Sequence, residues 1–154
     1  MENRDKAEEG ICIVSFGMFP SFARLPRLII LLTDGGGPGS MSQLRLLDEF
    51  MLRLAFKPDA EMDELRPADY FDLMGGVGFG GFVALLLGRL RMTTSQAMEE
   101  LATVGTEIFP KGDGMVNPDV NMARLRMAIE SMLERHSYSV DLKLCDSSEN
   151  RCKV

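Results

Sequence analysis

Tyr70-Phe71-Asp72-Leu73-Met74-Gly75-Gly76-Val77-Gly78-Phe79-Gly80-Gly81, followed by Phe82-Val83-Ala84-Leu85-Leu86-Leu87, is the stretch on which the fold of this chain turns. Tyr70 to Met74 is short, apolar and aromatic, which predicts a buried strand. The glycines after it predict a tight bend. Phe82 to Leu87 has almost no polar face, so the helix it begins should be buried on most sides. The same order occurs earlier. Leu28 to Leu32 (LIILL) runs into Asp34-Gly35-Gly36-Gly37-Pro38-Gly39, with Ser40 or Ser42 as the expected N-cap. Apolar residues then recur at Met41, Leu44, Leu47, Met51 and Leu54, at spacings of three, three, four and three, the period of an amphipathic helix. Strand, glycine turn and helix repeated twice predict an α/β arrangement on a parallel sheet, with ligands beyond the carboxyl ends of the strands.

Working outward, Ile11 to Val14 (ICIV) is another short apolar run, and Met1 to Gly10 is charged and read as a flexible amino end. Lys57 to Asp69 holds two prolines and five acidic residues and reads as a surface connection. Thr93 with Gln96 has capping-box spacing, opening a helix whose inner stripe is Ala97, Leu101, Val104 and Ile108. Gly88, Arg89 and Arg91 mark the end of the preceding helix. Met122, Leu125, Ile129 and Met132 mark a last helix before an irregular tail. Asp113-Gly114 reads as an interhelical turn, and His136 as a solvated residue at a helix end.

The 154 residues suffice for one domain with one core. With 17 basic against 23 acidic residues the net charge is −6, and no basic cluster provides a nucleic-acid footprint, so no nucleic-acid partner is expected. Cys12, Cys145 and Cys152 lack C-x-x-C spacing, so neither a disulfide framework nor a metal is expected. The apolar run from Ile11 to Leu32 is broken by Pro20, Arg24, Pro26 and Arg27, which argues against a membrane span. A cytoplasmic setting fits these features.

Gly76, Gly78 and Gly81 satisfy G-x-G-x-x-G between a strand and a helix, the arrangement that seats a dinucleotide pyrophosphate on a helix N-terminus. A dinucleotide unit should then continue into a strand ending in Asp or Glu about 20 residues on. Arg91 to Ile108 instead reads as a capped helix. The plainer alternative is that these glycines only let strand and helix pack closely.

Read together, Asp34-Gly35-Gly36-Gly37, Tyr70 to Gly76, Gly80-Gly81 and Leu87-Gly88-Arg89-Leu90-Arg91-Met92 resemble the patatin-like phospholipases, in particular the fungal type. These are lipid acyl hydrolases with a Ser-Asp dyad. The likeness runs from Asp34 to about Phe109, and Arg151-Cys152-Lys153-Val154 resembles the opening of a later family strand. The resemblance implies a three-layer α/β sandwich with a mainly parallel sheet, incomplete at its carboxyl end. It implies an oxyanion turn at Gly35, Gly36 and Gly37 and a nucleophile elbow at Gly76, Gly78 and Gly80. It implies no cofactor, and as partner a lipid or acyl ester met at the periphery of a membrane.

The chain departs from the family at the decisive position. Gly78 stands where G-x-S-x-G places the serine, and losing that nucleophile can cost about 10⁶ in turnover, roughly 8 kcal/mol of barrier. The first turn reads Pro38-Gly39-Ser40 where the family has x-R-G, and the sequence stops before the family's Asp turn. Ser40 and Ser42 are read as helix caps rather than as substitute nucleophiles. The expected function is therefore a phospholipase domain that has lost hydrolysis, with a non-catalytic lipid-binding or protein-interaction module as the alternative. Joining Ser15 directly to Asp34 gives a more family-like reading, so residues 16–33 are read as an insertion within a single domain over 11–154.

Overall fold

The computed structural model describes residues 12–15, 29–33, 39–54, 65–109, 118–144 and 152–154. Two apolar runs form strands β1 (Cys12–Ser15) and β2 (Ile29–Thr33). Helix α1 (Gly39–Leu54) follows, then strand β3 (Leu73–Gly76), the short helix α2 (Phe79–Ala84), α3 (Thr94–Ile108) and α4 (Pro118–Arg135). The strands pair in parallel in the order β1-β2-β3, with Leu31 opposite Met74 and Thr33 opposite Gly76. Beyond β3, Met74 N–H donates to the Lys153 carbonyl and Lys153 N–H donates to the Asp72 carbonyl, both at 2.8 Å, so the carboxyl end runs parallel beside β3 for one bridge.

The expected three-layer sandwich is not what these residues form. The described residues are mostly helical: α1, α3 and α4 have 16, 15 and 18 residues, whereas the strands have four, five and four. Among the described helices, α2 and the turn after it pack on the strands. The three long helices pack in series, α1 on α3 and α3 on α4. The physical reason lies in their apolar stripes. Leu44, Leu47 and Met51 of α1, and Ala97, Leu101, Val104 and Ile108 of α3, are buried, so these faces are spent largely on one another rather than on a broad sheet.

Three local expectations also shift. Tyr70 to Met74 is not the strand. Pro67, which fixes its own φ, begins a 3-10 turn over Pro67–Asp69, Tyr70 closes that turn, and the strand starts at Leu73 and takes in Gly75 and Gly76. Neither Ser40 nor Ser42 precedes α1, because the helix begins at Gly39 and both serines lie in its first turn, Ser40 buried and Ser42 exposed. The apolar helix after the glycines ends in a π-helical turn over Leu85–Arg89, closed by a Leu90 N–H bond to the Leu85 carbonyl at 3.0 Å.

Other local signals resolve cleanly. The capping box at α3 is complete, with Thr93 Oγ1 accepting from Gln96 N–H at 3.2 Å and Gln96 Oε1 accepting from Thr93 N–H at 3.0 Å. The buried Thr94 hydroxyl donates to the Asp48 carboxylate and so ties α3 to α1. Val83, Leu86 and Leu87 join Leu31, Phe71 and Met74 in one core. Asp113-Gly114 lies outside the described residues.

Candidate functional site

The site grows from a close approach between the end of β2, the end of β3 and the start of α2. Thr33, the last residue of β2, is buried, and its hydroxyl donates to the Gly80 carbonyl at 2.6 Å, with the Gly75 carbonyl as a longer partner at 3.3 Å. A Cβ on Gly76 would lie 2.4 Å from the backbone carbon and oxygen of Gly80 and from Thr33 Oγ1. A Cβ on Gly81 would meet the Gly76 carbonyl oxygen at 3.0 Å. Glycine at 76 is thus required for strand and helix to approach this closely.

Between them the chain bends sharply. Val77 is 60% exposed, and Gly78 takes φ 56° and ψ −126°, a backbone conformation that L side chains rarely adopt. Gly80 N–H returns to the Val77 carbonyl at 2.9 Å, and Phe82 N–H to the Gly78 carbonyl at 3.1 Å. Gly78 is therefore the tip of a strand-to-helix turn and carries no side chain. Of the residues expected at the site, Gly76, Gly78 and Gly80 are brought together at this bend. Gly35, Gly36 and Gly37 lie outside the described residues.

A cavity of about 640 Å³ opens beside Gly78, between α2, α3 and α4. Phe79, Phe82, Leu85, Ile108, Leu125 and Ile129 give it an apolar wall, and Asn121 is the polar side chain among the described residues that line it. A second cavity of about 600 Å³ lies toward α1, against Met41, Arg45, Leu101 and Thr106. Phe79 and Phe109 border both cavities, and their rings pack at 6.1 Å between centroids and 45° between planes. Both volumes fall in the range of small-molecule sites.

Three residues escaped the sequence reading. Thr33 falls just past the apolar run Leu28 to Leu32, in the stretch read as an insertion, and carries no role there. Asn121 broke the apolar period of α4. His136 is not a solvated helix end. It follows α4, and its Nε2 donates to Glu100 Oε1 at 2.8 Å while Arg135 Nη2 donates to Oε2 at 2.6 Å. Burial pushes the Glu100 carboxyl up, but the hydrogen bonds and charges of Arg135 and His136 outweigh it and hold it below its ordinary value. Cys152 is a buried free thiol, pushed up to about 11 by burial first and by the Asp72 charge second.

The turn does not continue as a dinucleotide unit does. The segment after α2 that would have to supply a ribose-binding strand is helix α3. No helix among the described residues is long and apolar enough to cross a membrane.

No family model matches the chain. No solved structure matches it. Over 128 residues it is 32% identical to a cGAMP-activated phospholipase of Escherichia coli (strain TW11681), an alignment that takes in 76% of this chain and 34% of that protein. The chain thus spans about a third of the length of the curated relative it matches. Across 76% of its residues the chain is thus similar to a phospholipase, which supports the resemblance to that family.

Proposed function

We propose that this chain is the amino-terminal part of a patatin-like phospholipase domain of the fungal type, in a form that has lost hydrolysis and keeps an apolar site for an acyl chain. The observation that carries the proposal is Gly78. It occupies the tip of a strand-to-helix bend with φ 56°, and it has no side chain with which to attack an ester. Gly76 serves this bend by allowing β3 to approach the Gly80 backbone of α2, and Gly35, Gly36 and Gly37 are the proposed oxyanion turn.

The ligand is a lipid or acyl ester, in keeping with the relative's name and with the apolar wall of the cavity beside Gly78. In this reading the protein works in the cytoplasm and meets lipid at a membrane surface. The non-catalytic role is favoured over residual hydrolysis because the cavity does not depend on the missing hydroxyl. Release of nitrophenol from a short-chain nitrophenyl ester tests the reading. The unmodified chain should show no turnover above the uncatalysed rate, and clear saturable turnover overturns the loss of hydrolysis. Binding of decanoate to the unmodified chain tests the acyl site, and its absence overturns that part.

A further inference from the structure

Among the described residues that line the cavity beside Gly78, Asn121 is the one polar side chain. Asn121 stands on α4 four residues before Leu125 and eight before Ile129, so the three share a helix face, and all three line the cavity. Asn121 Oδ1 is buried and makes no hydrogen bond among the described residues. A buried acceptor left unpaired destabilises the free protein, and asparagine is also a weaker helix former than leucine. An apolar residue at this position would continue the face without either cost. The acceptor therefore calls for a donor that the described residues do not supply.

Resting on the acyl-site reading above, we propose that Asn121 makes this cavity select acyl lipids that carry a free hydroxyl group, monoacylglycerols in the first place, over fully esterified ones. The chemistry is asymmetric. Ester carbonyl and ester bridge oxygens only accept, so a fully esterified lipid supplies no donor to the bare Oδ1 of Asn121. At the unpaired Oδ1 itself a glycerol hydroxyl donates where an ester oxygen cannot, while the hydrocarbon chain covers the wall formed by Phe82, Leu85, Leu125 and Ile129.

The test measures the dissociation constants of monodecanoylglycerol and methyl decanoate, each below its aggregation limit, for the unmodified protein and for Asn121→Leu. The two ligands share a chain and differ in their hydroxyls, and the ratio of their constants cancels the common apolar contribution. The preference for monodecanoylglycerol should fall by roughly three- to tenfold in Asn121→Leu, the net worth of one hydrogen bond in affinity. Asn121→Leu should melt no lower than the unmodified protein, which separates selectivity from folding. Leu125→Trp, which fills the cavity, should weaken both ligands. An equal ratio in the unmodified protein and Asn121→Leu, with both ligands bound, overturns the role of Asn121 and leaves the acyl site standing. Binding of neither ligand, or binding untouched by Leu125→Trp, overturns the acyl site itself and the selectivity with it.

Discussion

Replacing Gly76 by alanine adds one methyl group at the tightest point of the structure. Its Cβ would lie 2.4 Å from Gly80 C, Gly80 O and Thr33 Oγ1, whereas ordinary van der Waals contact begins near 3.4 Å. Each neighbour must therefore retreat by about an ångström. Two of the three are backbone atoms of α2, and the third is held by its own 2.6 Å hydrogen bond, so no flexible side chain can yield. Overpacking of this kind costs about 3 kcal/mol, the upper end of its usual range. Gly105 provides the internal control, because a Cβ there meets nothing within 4 Å and the residue lies inside α3. Gly105→Ala should stabilise by about 0.5 to 1 kcal/mol through helix propensity alone. At roughly 2 to 4 °C per kcal/mol for a chain of this size, the two variants should differ in Tm by about 7 to 16 °C. Thermal unfolding followed by circular dichroism measures this. Variants melting within about 2 °C of each other would show that β3 and α2 do not approach as described, and the bend at Gly78 would lose its support.

Further outcomes follow from the same geometry. Thr33→Val should lose about 1 to 2 kcal/mol in urea unfolding, because the Gly80 carbonyl loses its buried donor, and Thr33→Ser should recover most of it. Glu100, held below its ordinary value of 4.5, contributes stability that is fully present above that value and is lost as pH falls through the lower folded value. Glu100→Gln should therefore flatten the fall in Tm between neutral and acid pH, and an unchanged slope would remove Glu100 from the account. Cys152, raised to about 11 from 9.0, should resist alkylation by iodoacetamide at pH 8 in the folded protein and react once urea unfolds it. The sign is opposite to that of Glu100. The buried thiol contributes stability below pH 9 that is lost as pH rises toward 11.

Much of the helical structure is written in local pattern. The stripe Leu44, Leu47 and Met51 and the stripe Ala97, Leu101, Val104 and Ile108 are legible at helical spacing, and all seven residues are buried. The Thr93 and Gln96 box is a contact between residues three apart and needs no tertiary partner. The strand before the glycines was misplaced because aromatic Tyr70 and Phe71 carry β propensity, while the competing signal was a single proline at 67 that starts a 3-10 turn. The three-layer sandwich failed at a higher level. Helical period shows which face of α1 or α3 is buried, but not whether a sheet or another helix buries it.

The candidate site divides in the same way. G-x-G-x-x-G and the absence of serine at 78 are facts of the one-dimensional chain, and they set what chemistry Gly78 cannot perform. That Thr33 reaches across to Gly80, that His136 joins Arg135 on Glu100, and that Asn121 leaves a bare acceptor in an apolar wall are contacts between residues 35 to 47 positions apart or between separate helices. Sequence alone determined the helices and the glycine at 78, since both depend on residue identity at short range. Tertiary structure alone decided the partners, because a buried polar atom takes its meaning from whichever distant group packing brings to it.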